Sequence, residues 1–375
     1  MKDIGILTFH AAHNYGSALQ AYALQRKLNE LSSERCEIIN FSTDKQKEMY
    51  SLLCKNNSIK SLLKNIRATS YKYSVIKNRR NDFDRFIKDK LPLSDKEYKS
   101  SYELEADIKK YSIIVCGSDQ IWNPSTIDFD MVYFLPYSGN IKKVSYAPSI
   151  GGGNTLNNSP LKDEIIYNIN KFDMISVREE MAKDILSKIT DKDIDIVLDP
   201  TMLLSNIEWD QICSSRIINE EYIFLYSIDY NDDVVRIAKS ISKKLNLPIV
   251  ILFTSSKTYK TIFKGFTLCE KESPSDFLSL IKHAKLVLSN SFHGNVFSII
   301  YKKPFYAIRG TNNGKINNDN RISTLLNKLD LNDRQLNMQN YSQKQLDLNV
   351  NYPKVDKIIN VEREKSINYL MNAIK

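Results

Sequence analysis

The sequence predicts an α/β protein made of two Rossmann-like domains. Short β-branched runs alternate with stretches of helical periodicity, the pattern of parallel strands joined by crossover helices. The 375 residues exceed one ordinary domain of roughly 150 residues and suit two. Asp199-Pro200 also closes one alternation just before a second begins. The domains are therefore expected at 1–203 and 204–375. The first carries a basic helical insertion at about 44–100, and the last helix, 355–373, is long enough to pack back on the first domain.

Strands are expected at 4–9, 37–41, 112–115, 143–146, 174–177 and 194–197 in the first half, then at 222–226, 249–252, 286–288 and 305–308. Between them the apolar spacing predicts helices at 17–31, 101–110, 161–170, 179–188, 232–245, 274–283 and 321–329. The opening run after Asp3 is short and apolar, a buried strand rather than a secretory signal. No stretch approaches the ~18 apolar residues of a membrane span. The five cysteines are scattered and include no C-x-x-C pair, which argues against a disulfide framework or structural zinc and for a reducing cytoplasm. At 42% hydrophobic residues, wholesale disorder is excluded.

The net charge of +9 is concentrated: residues 44–100 hold 15 Lys/Arg against 7 Asp/Glu. Lys55, Lys60, Lys64, Arg67, Lys72, Lys77, Arg79 and Arg80 are interleaved with apolar residues and no acid, as in amphipathic helices that rest on an anionic surface. Two readings stay open: a solvated excursion, or peripheral contact with anionic lipid headgroups or a lipid-diphosphate substrate. Nucleic acid is disfavoured because no recognised binding motif accompanies the charge.

In α/β folds of this kind ligands collect at the carboxyl ends of strands, in the crevice between halves. The first strand runs into His10-Ala11-Ala12-His13-Asn14-Tyr15-Gly16-Ser17, a loop that opens a helix without the G-x-G-x-x-G of dinucleotide binders. His13 and Asn14 are candidate substrate contacts, with loop packing as the alternative, and no third ligand is spaced to make a metal site. The 112–115 strand delivers Asp119, Gln120, Trp122 and Asn123, a ring beside amides and a carboxylate that suits a sugar, or else a structural turn closed by Pro124. Arg178 ends the 174–177 strand, placed to clamp a carboxylate or phosphate, or to pair on the surface with Glu179 or Glu180.

The sharpest signal is Ser289-Asn290-Ser291-Phe292-His293-Gly294 after a buried strand. It puts His293 in a helix's first turn, able to meet phosphate or move a proton, with Gly294 leaving room for a close approach. Arg309, Lys315 and Arg321 follow the 305–308 strand on one glycine-rich loop, which either closes over an anionic donor or is a solvated hairpin.

Taken in order, Asn14-Tyr15-Gly16 with Leu19-Gln20-Ala21-Tyr22-Ala23-Leu24, Gly117-Ser118-Asp119-Gln120-Ile121-Trp122-Asn123, Ser145-Tyr146-Ala147, Ser176-Val177-Arg178-Glu179, Val197-Leu198-Asp199-Pro200-Thr201, Ser291-Phe292-His293-Gly294 and Arg321-Ile322 with Leu325-Leu326 resemble the polysaccharide pyruvyltransferase family. The resemblance implies a GT-B-like pair of Rossmann domains with a cleft between them. It also implies transfer of the carboxyvinyl group of phosphoenolpyruvate to a sugar, such as one on a lipid-linked precursor of a bacterial surface polysaccharide, giving a pyruvate ketal.

On this chain the resemblance implies that Arg178 and His293 hold the donor. Family members with Arg-x-His at the second motif have arginine where this chain has Ser291; Arg309, Lys315 or Arg321 are the candidate replacements. Asp119 is the candidate base, and His13, Asn14, Gln120, Trp122 and Asn123 complete the acceptor side. Phosphoenolpyruvate is then a co-substrate, and neither cofactor nor metal is expected. The site of action would be the cytoplasm, including the inner face of the membrane. The alternatives are a GT-B glycosyltransferase using a nucleotide sugar and a non-catalytic glycan-binding homologue.

Overall fold

Buried apolar triplets and quartets fold as parallel strands throughout this computed structural model, which describes residues 3–49, 72–152, 155–254, 258–262, 264–312, 315–316 and 320–375. Strands β1 (Asp3–Leu7), β2 (Cys36–Ile38), β3 (Tyr111–Cys116) and β4 (Lys142–Ser145) form a sheet in the order β2-β1-β3-β4, every pair parallel. Strands β5 (Ile175–Val177) and β6 (Ile194–Ile196) form a parallel pair. A Val144–Met174 bridge sets β5 beside β4. There the Ser145 hydroxyl donates to the Ser176 carbonyl at 2.9 Å, and the Ser176 hydroxyl donates back to the Ser145 carbonyl at 2.8 Å. Near-continuous burial along β1, β3 and β4 is what a parallel sheet covered on both faces requires.

The second sheet uses β7 (Ile223–Tyr226), β8 (Ile249–Ile251), β9 (Thr267–Leu268), β10 (Leu286–Ser289) and β11 (Phe305–Ile308). After them come a two-stranded antiparallel ribbon, β12 (Thr311–Asn312) with β13 (Lys315–Ile316), and β14 (Gln335–Leu336). The six-stranded order is β14-β11-β10-β7-β8-β9, again with every pair parallel. The helix Asp232–Leu245 shows how local sequence sets its bounds. Asn231 caps its start by accepting from the Val234 N–H, Asn246 ends it in the left-handed region at φ 53°, and Val234, Val235, Ile237, Ala238 and Ile241 form its buried face. The helix Pro274–His283 starts on a Ser273–Asp276 capping box with proline in its first turn.

The described residues divide into two compact units. One takes Met1–Tyr73, Asp84–Leu204 and Asn360–Lys375; the other takes Ser74–Phe83 and Ser205–Ile359. The division thus falls one residue beyond the expected boundary, and residues 74–83 of the insertion go with the second unit, not the first. The helix Tyr352–Ala373 ends in the first unit, where the Ser366 hydroxyl accepts from the Leu198 N–H at 2.9 Å and the Tyr369 hydroxyl donates to the Ser145 carbonyl at 2.9 Å. Of the basic insertion, Lys55, Lys60, Lys64 and Arg67 lie outside the described residues, and the helix Lys72–Lys90 carries the rest of the acid-free run.

Candidate active site

Parallel strands bring their carboxyl ends to one edge, and in the first unit the polar segments predicted from sequence meet there. Gly117 follows β3 at φ 146°, and a Cβ on it would stand 1.9 Å from the Tyr146 carbonyl oxygen, so only glycine lets the two loops touch. Ser118 then ties three strand ends together: its N–H donates to Gln20 Oε1 at 3.0 Å and its hydroxyl to the Ala147 carbonyl at 2.6 Å. Gln20 in turn donates to Thr8 Oγ1 at 2.7 Å. Asp119 is held at φ 70°, a region that non-glycine residues avoid and that functional loops tolerate. Its Oδ2 accepts from the Ser17 hydroxyl at 2.5 Å and its Oδ1 from the Gln120 N–H at 2.8 Å.

Arg178 closes this cluster, but as a buried hub rather than an open clamp. Its side chain is 3% exposed, with Nε 2.9 Å from Glu179 Oε1 and Nη1 2.7 Å from Asp199 Oδ2. Burial alone would depress the guanidinium; Glu179, Asp199 and Asp119 more than offset it and raise its pKa. The Glu179 pair expected on the surface is therefore internal. Asp199 also accepts from the Thr201 N–H and hydroxyl at 3.0 and 2.6 Å, so Arg178 fixes the turn after β6 as well.

Several residues assigned to the acceptor are taken up by the fold. Trp122 offers no stacking face to a sugar: it is 0% exposed, stacks on Phe134 at 5.3 Å, meets Phe172 edge-on at 5.4 Å and donates Nε1–H to the Tyr133 carbonyl at 2.9 Å. A flat aromatic beside a strand end gains more by filling the core than by waiting for a ligand. Asn14 is the N-cap of the helix Tyr15–Leu31, its Oδ1 accepting from Gly16 and Ser17 N–H. His13 pairs through Nε2 with Asp84 Oδ1 at 2.9 Å. Asn123 donates to Gln120 Oε1 at 2.9 Å and accepts from the Ser125 N–H at 3.0 Å, as the structural-turn alternative requires.

In the second unit β10 ends at Ser289, whose hydroxyl donates to the Tyr226 carbonyl at 2.8 Å and accepts from the Ser291 N–H at 3.0 Å. Ser291 is the N-cap of the helix Phe292–Ile300 but makes no side-chain cap. His293 sits in the first turn, 7% exposed, its ring edge-on to Phe292 at 5.2 Å. Gly294 does leave room, but for the protein itself: a Cβ there would meet Ser289 Oγ at 2.2 Å and the Tyr226 ring at 3.0 Å. The space expected for a ligand is filled by those two side chains.

Arg309 donates to the Ser323 hydroxyl at 2.6 Å. Arg321 lies in the helix Asn320–Lys328, close to the helix expected at 321–329, and Lys315 is on β13, which pairs antiparallel with β12.

A pair missed from sequence stands in this second unit. Arg79 Nε lies 3.4 Å from Glu272 Oε2, and Glu272 Oε1 accepts from the Phe253 N–H at 2.6 Å. Burial raises the Glu272 pKa to about 8 against the opposing pull of Arg79. Nearly 200 residues separate the two in the chain, so no local pattern marks them. Among the described residues no cluster of His, Cys, Asp and Glu could hold a metal ion, and no helix is long and apolar enough to cross a membrane.

Two α/β units, each built on a parallel sheet with polar strand ends, have a fold of the GT-B-like class. The polysaccharide pyruvyl transferase family matches residues 14–312, and the chain belongs to that family, a family of transferases. No curated protein matches the chain significantly. Among solved structures, the chain is similar to S. aureus MnaA in its complex with UDP, at 10% identity over 92% of this chain and 87% of that one, with a TM-score of 0.51. It also matches the UDP-GlcNAc 2-epimerase of Methanocaldococcus jannaschii at 14% identity over 96% and 99% of the two chains, with a TM-score of 0.49. The E. coli heptosyltransferase WaaC with ADP matches at 12% identity over 85% and 89%, with a TM-score of 0.39.

Proposed function

We propose that this protein transfers the carboxyvinyl group of phosphoenolpyruvate to a sugar, on a lipid-linked precursor of a bacterial surface polysaccharide, and closes it to a cyclic pyruvate ketal. The observation that carries this reading is the family match across residues 14–312, which includes Asp119, Arg178 and His293. The buried His293 in a helix's first turn supports it chemically, because that turn offers N–H groups to phosphate and the ring can carry a proton. The enzyme would work in the cytoplasm, at the inner face of the membrane where the acceptor's lipid resides.

In this reading an acid protonates the donor's methylene carbon, leaving an oxocarbenium-like centre. A sugar hydroxyl adds to that centre and gives its proton to a base. The C–O bond to phosphate then breaks, inorganic phosphate leaves, and a second hydroxyl of the same sugar adds to close the ring and loses its own proton. One of the two hydroxyl protons restores the acid and the other leaves on the phosphate, so the reaction needs no oxidant or reductant. His293 would transfer the first proton or hold the phosphate, with Ser291, Arg309, Lys315 and Arg321 on the donor's anionic groups. Asp119, fixed by Ser17 and the Gln120 N–H, is the proposed base. Arg178 is a positioning residue here, its charge committed to Glu179 and Asp199.

The test incubates the protein with phosphoenolpyruvate and lipid-linked oligosaccharides, following phosphate release and acceptor mass. Phosphate release with a gain of one pyruvate ketal supports the proposal. A hexose-sized gain from a nucleotide sugar, or calorimetry showing no uptake of phosphoenolpyruvate with or without acceptor, overturns it.

A further inference from the structure

We propose that a one-carbon pocket at the carboxyl end of β1 receives the methylene carbon of phosphoenolpyruvate and the methyl group it becomes, so that this pocket decides which enol phosphates serve as donor. This rests on the donor assigned above and adds a subsite whose lining shares no residue with the donor and acceptor sets already named.

The pocket lies within the first unit, where the loop that follows β1 meets Phe41 and Tyr133. About 10 Å³ of it is open to the centre of a water-sized sphere, room for one water or one methyl group. Its lining is largely apolar, from Phe9, Ala11, Ala12, Phe41 and Tyr133. The Tyr133 ring stands edge-on to Phe9 at 5.1 Å and to Phe41 at 6.1 Å, and all three are buried, so packing fixes the walls. Among the described residues, Ala11 and Asp128 keep part of their surface exposed, which gives a solute a way in.

The polar groups at its edge already serve one another. Gln46 donates to the Asp128 carbonyl at 3.1 Å and to the Tyr133 hydroxyl at 3.3 Å, and accepts from the Thr43 N–H at 3.1 Å. His10 sets Nδ1 3.3 Å from the Thr8 carbonyl and Nε2 3.2 Å from Asn40 Oδ1, and burial lowers its pKa, so the ring brings no charge at neutral pH. A methyl group needs no partner there and gains by leaving water. Phosphate, carboxylate and sugar hydroxyls all demand polar partners; of the reacting groups only the methylene carbon is apolar. When its C=C electron pair takes the acid's proton, it becomes a methyl group on the carbon that the sugar hydroxyl attacks. The base for that hydroxyl must therefore stand close by. Gln20 makes the link: it donates to the Thr8 hydroxyl at 2.7 Å and accepts from the Ser118 N–H at 3.0 Å, which joins the pocket's edge to the residue before Asp119.

The experiment compares phosphoenolpyruvate with its 3-methyl analogue, phosphoenol-2-oxobutyrate, as donors to lipid-linked oligosaccharides, reading kcat/KM from phosphate release. Wild type should prefer phosphoenolpyruvate by at least about tenfold, because a second carbon overfills the pocket. Phe9→Leu and Phe41→Leu, which widen it, should narrow that preference by at least about threefold. Ala12→Val, which fills it, should lower kcat/KM for phosphoenolpyruvate by at least about tenfold and leave the KM for acceptor within about twofold. Where calorimetry shows uptake of phosphoenolpyruvate without turnover, the same comparisons are read in dissociation constants. If wild type uses both donors equally, or if the folded variants keep its values for both, this inference fails while the donor assignment stands. A raised acceptor KM in Ala12→Val with donor constants unchanged also overturns it, because the pocket then belongs to a substituent of the sugar. If wild type takes up no phosphoenolpyruvate, both fall. Should Ala12→Val not fold, the two leucine variants decide: a donor preference equal to that of wild type overturns the proposal.

Discussion

Gly294 lies so close to Ser289 that a Cβ on it would stand 2.2 Å from the Ser289 hydroxyl oxygen. That hydroxyl cannot swing away freely, because it donates to the Tyr226 carbonyl and accepts from the Ser291 N–H. The contact locks the end of β10 to the start of the helix that presents His293. Gly294→Ala should therefore cost about 1–3 kcal/mol, the range for overpacking a filled site. Urea unfolding checks it; an unchanged midpoint would mean that the loop yields more easily than its hydrogen bonds suggest.

Removing the charge of Arg178 should hurt stability and turnover together. Arg178→Met leaves Glu179 and Asp199 buried without their cation, a defect of about 3–5 kcal/mol. Turnover of whatever protein remains folded should fall by at least ~10²-fold, since Asp119 loses a neighbouring positive charge and the turn after β6 loses its anchor. A variant with full stability and lost donor affinity would restore the open-clamp role that the residue's position in sequence suggested.

Trp122 separates a packing role from a sugar-stacking role. Trp122→Phe removes the indole hydrogen bond to Tyr133 and leaves space between Phe134 and Phe172, so stability should drop by roughly 1–3 kcal/mol. The KM for acceptor should stay within about twofold. A tenfold rise in that KM at unchanged stability would contradict the buried placement.

The stability of the protein should carry a signature of Glu272. Its carboxyl is pushed up to about 8 in the folded chain from an ordinary value of 4.5. Below 4.5 both states hold the proton and the residue adds no pH dependence. Between the two values the unfolded chain has released a proton that the folded chain keeps, so stability falls as pH rises, and the fall ends above the folded value. Denaturant midpoints of wild type should decline relative to Glu272→Gln from about pH 5 to about pH 8, by a few kcal/mol at most. Parallel curves would show that Arg79 holds the carboxylate ionised.

His293→Ala should lower turnover by at least ~10²-fold with stability largely retained. Phosphate release under saturating phosphoenolpyruvate and acceptor is the measurement. Near-normal release from purified variant would remove His293 from the chemistry.

The helices 232–245 and 274–283 were legible to the residue because their ends are written locally, in Asn231 and Asn246 and in Ser273, Pro274 and Asp276. Most strands were legible as short apolar runs, with bounds within three residues of those expected. The two-residue strands β9, β12, β13 and β14 were not, since two residues carry no period and pair only because a neighbouring edge is there to receive them.

By itself the sequence determined the alternation of strand and helix, the placement of polar segments at strand ends, and the family. These depend on side-chain periodicity, on capping and turn residues, and on ordered motifs, all of which are local along the chain. Tertiary structure alone decided which polar residues face outward for chemistry and which are spent inside. Trp122 became core, Gly294 made room for Ser289, Arg178 acquired two carboxylates, and Arg79 met Glu272 from far up the chain. Burial and charge pairing are sums over neighbours distant in sequence, and a residue's own name does not contain them.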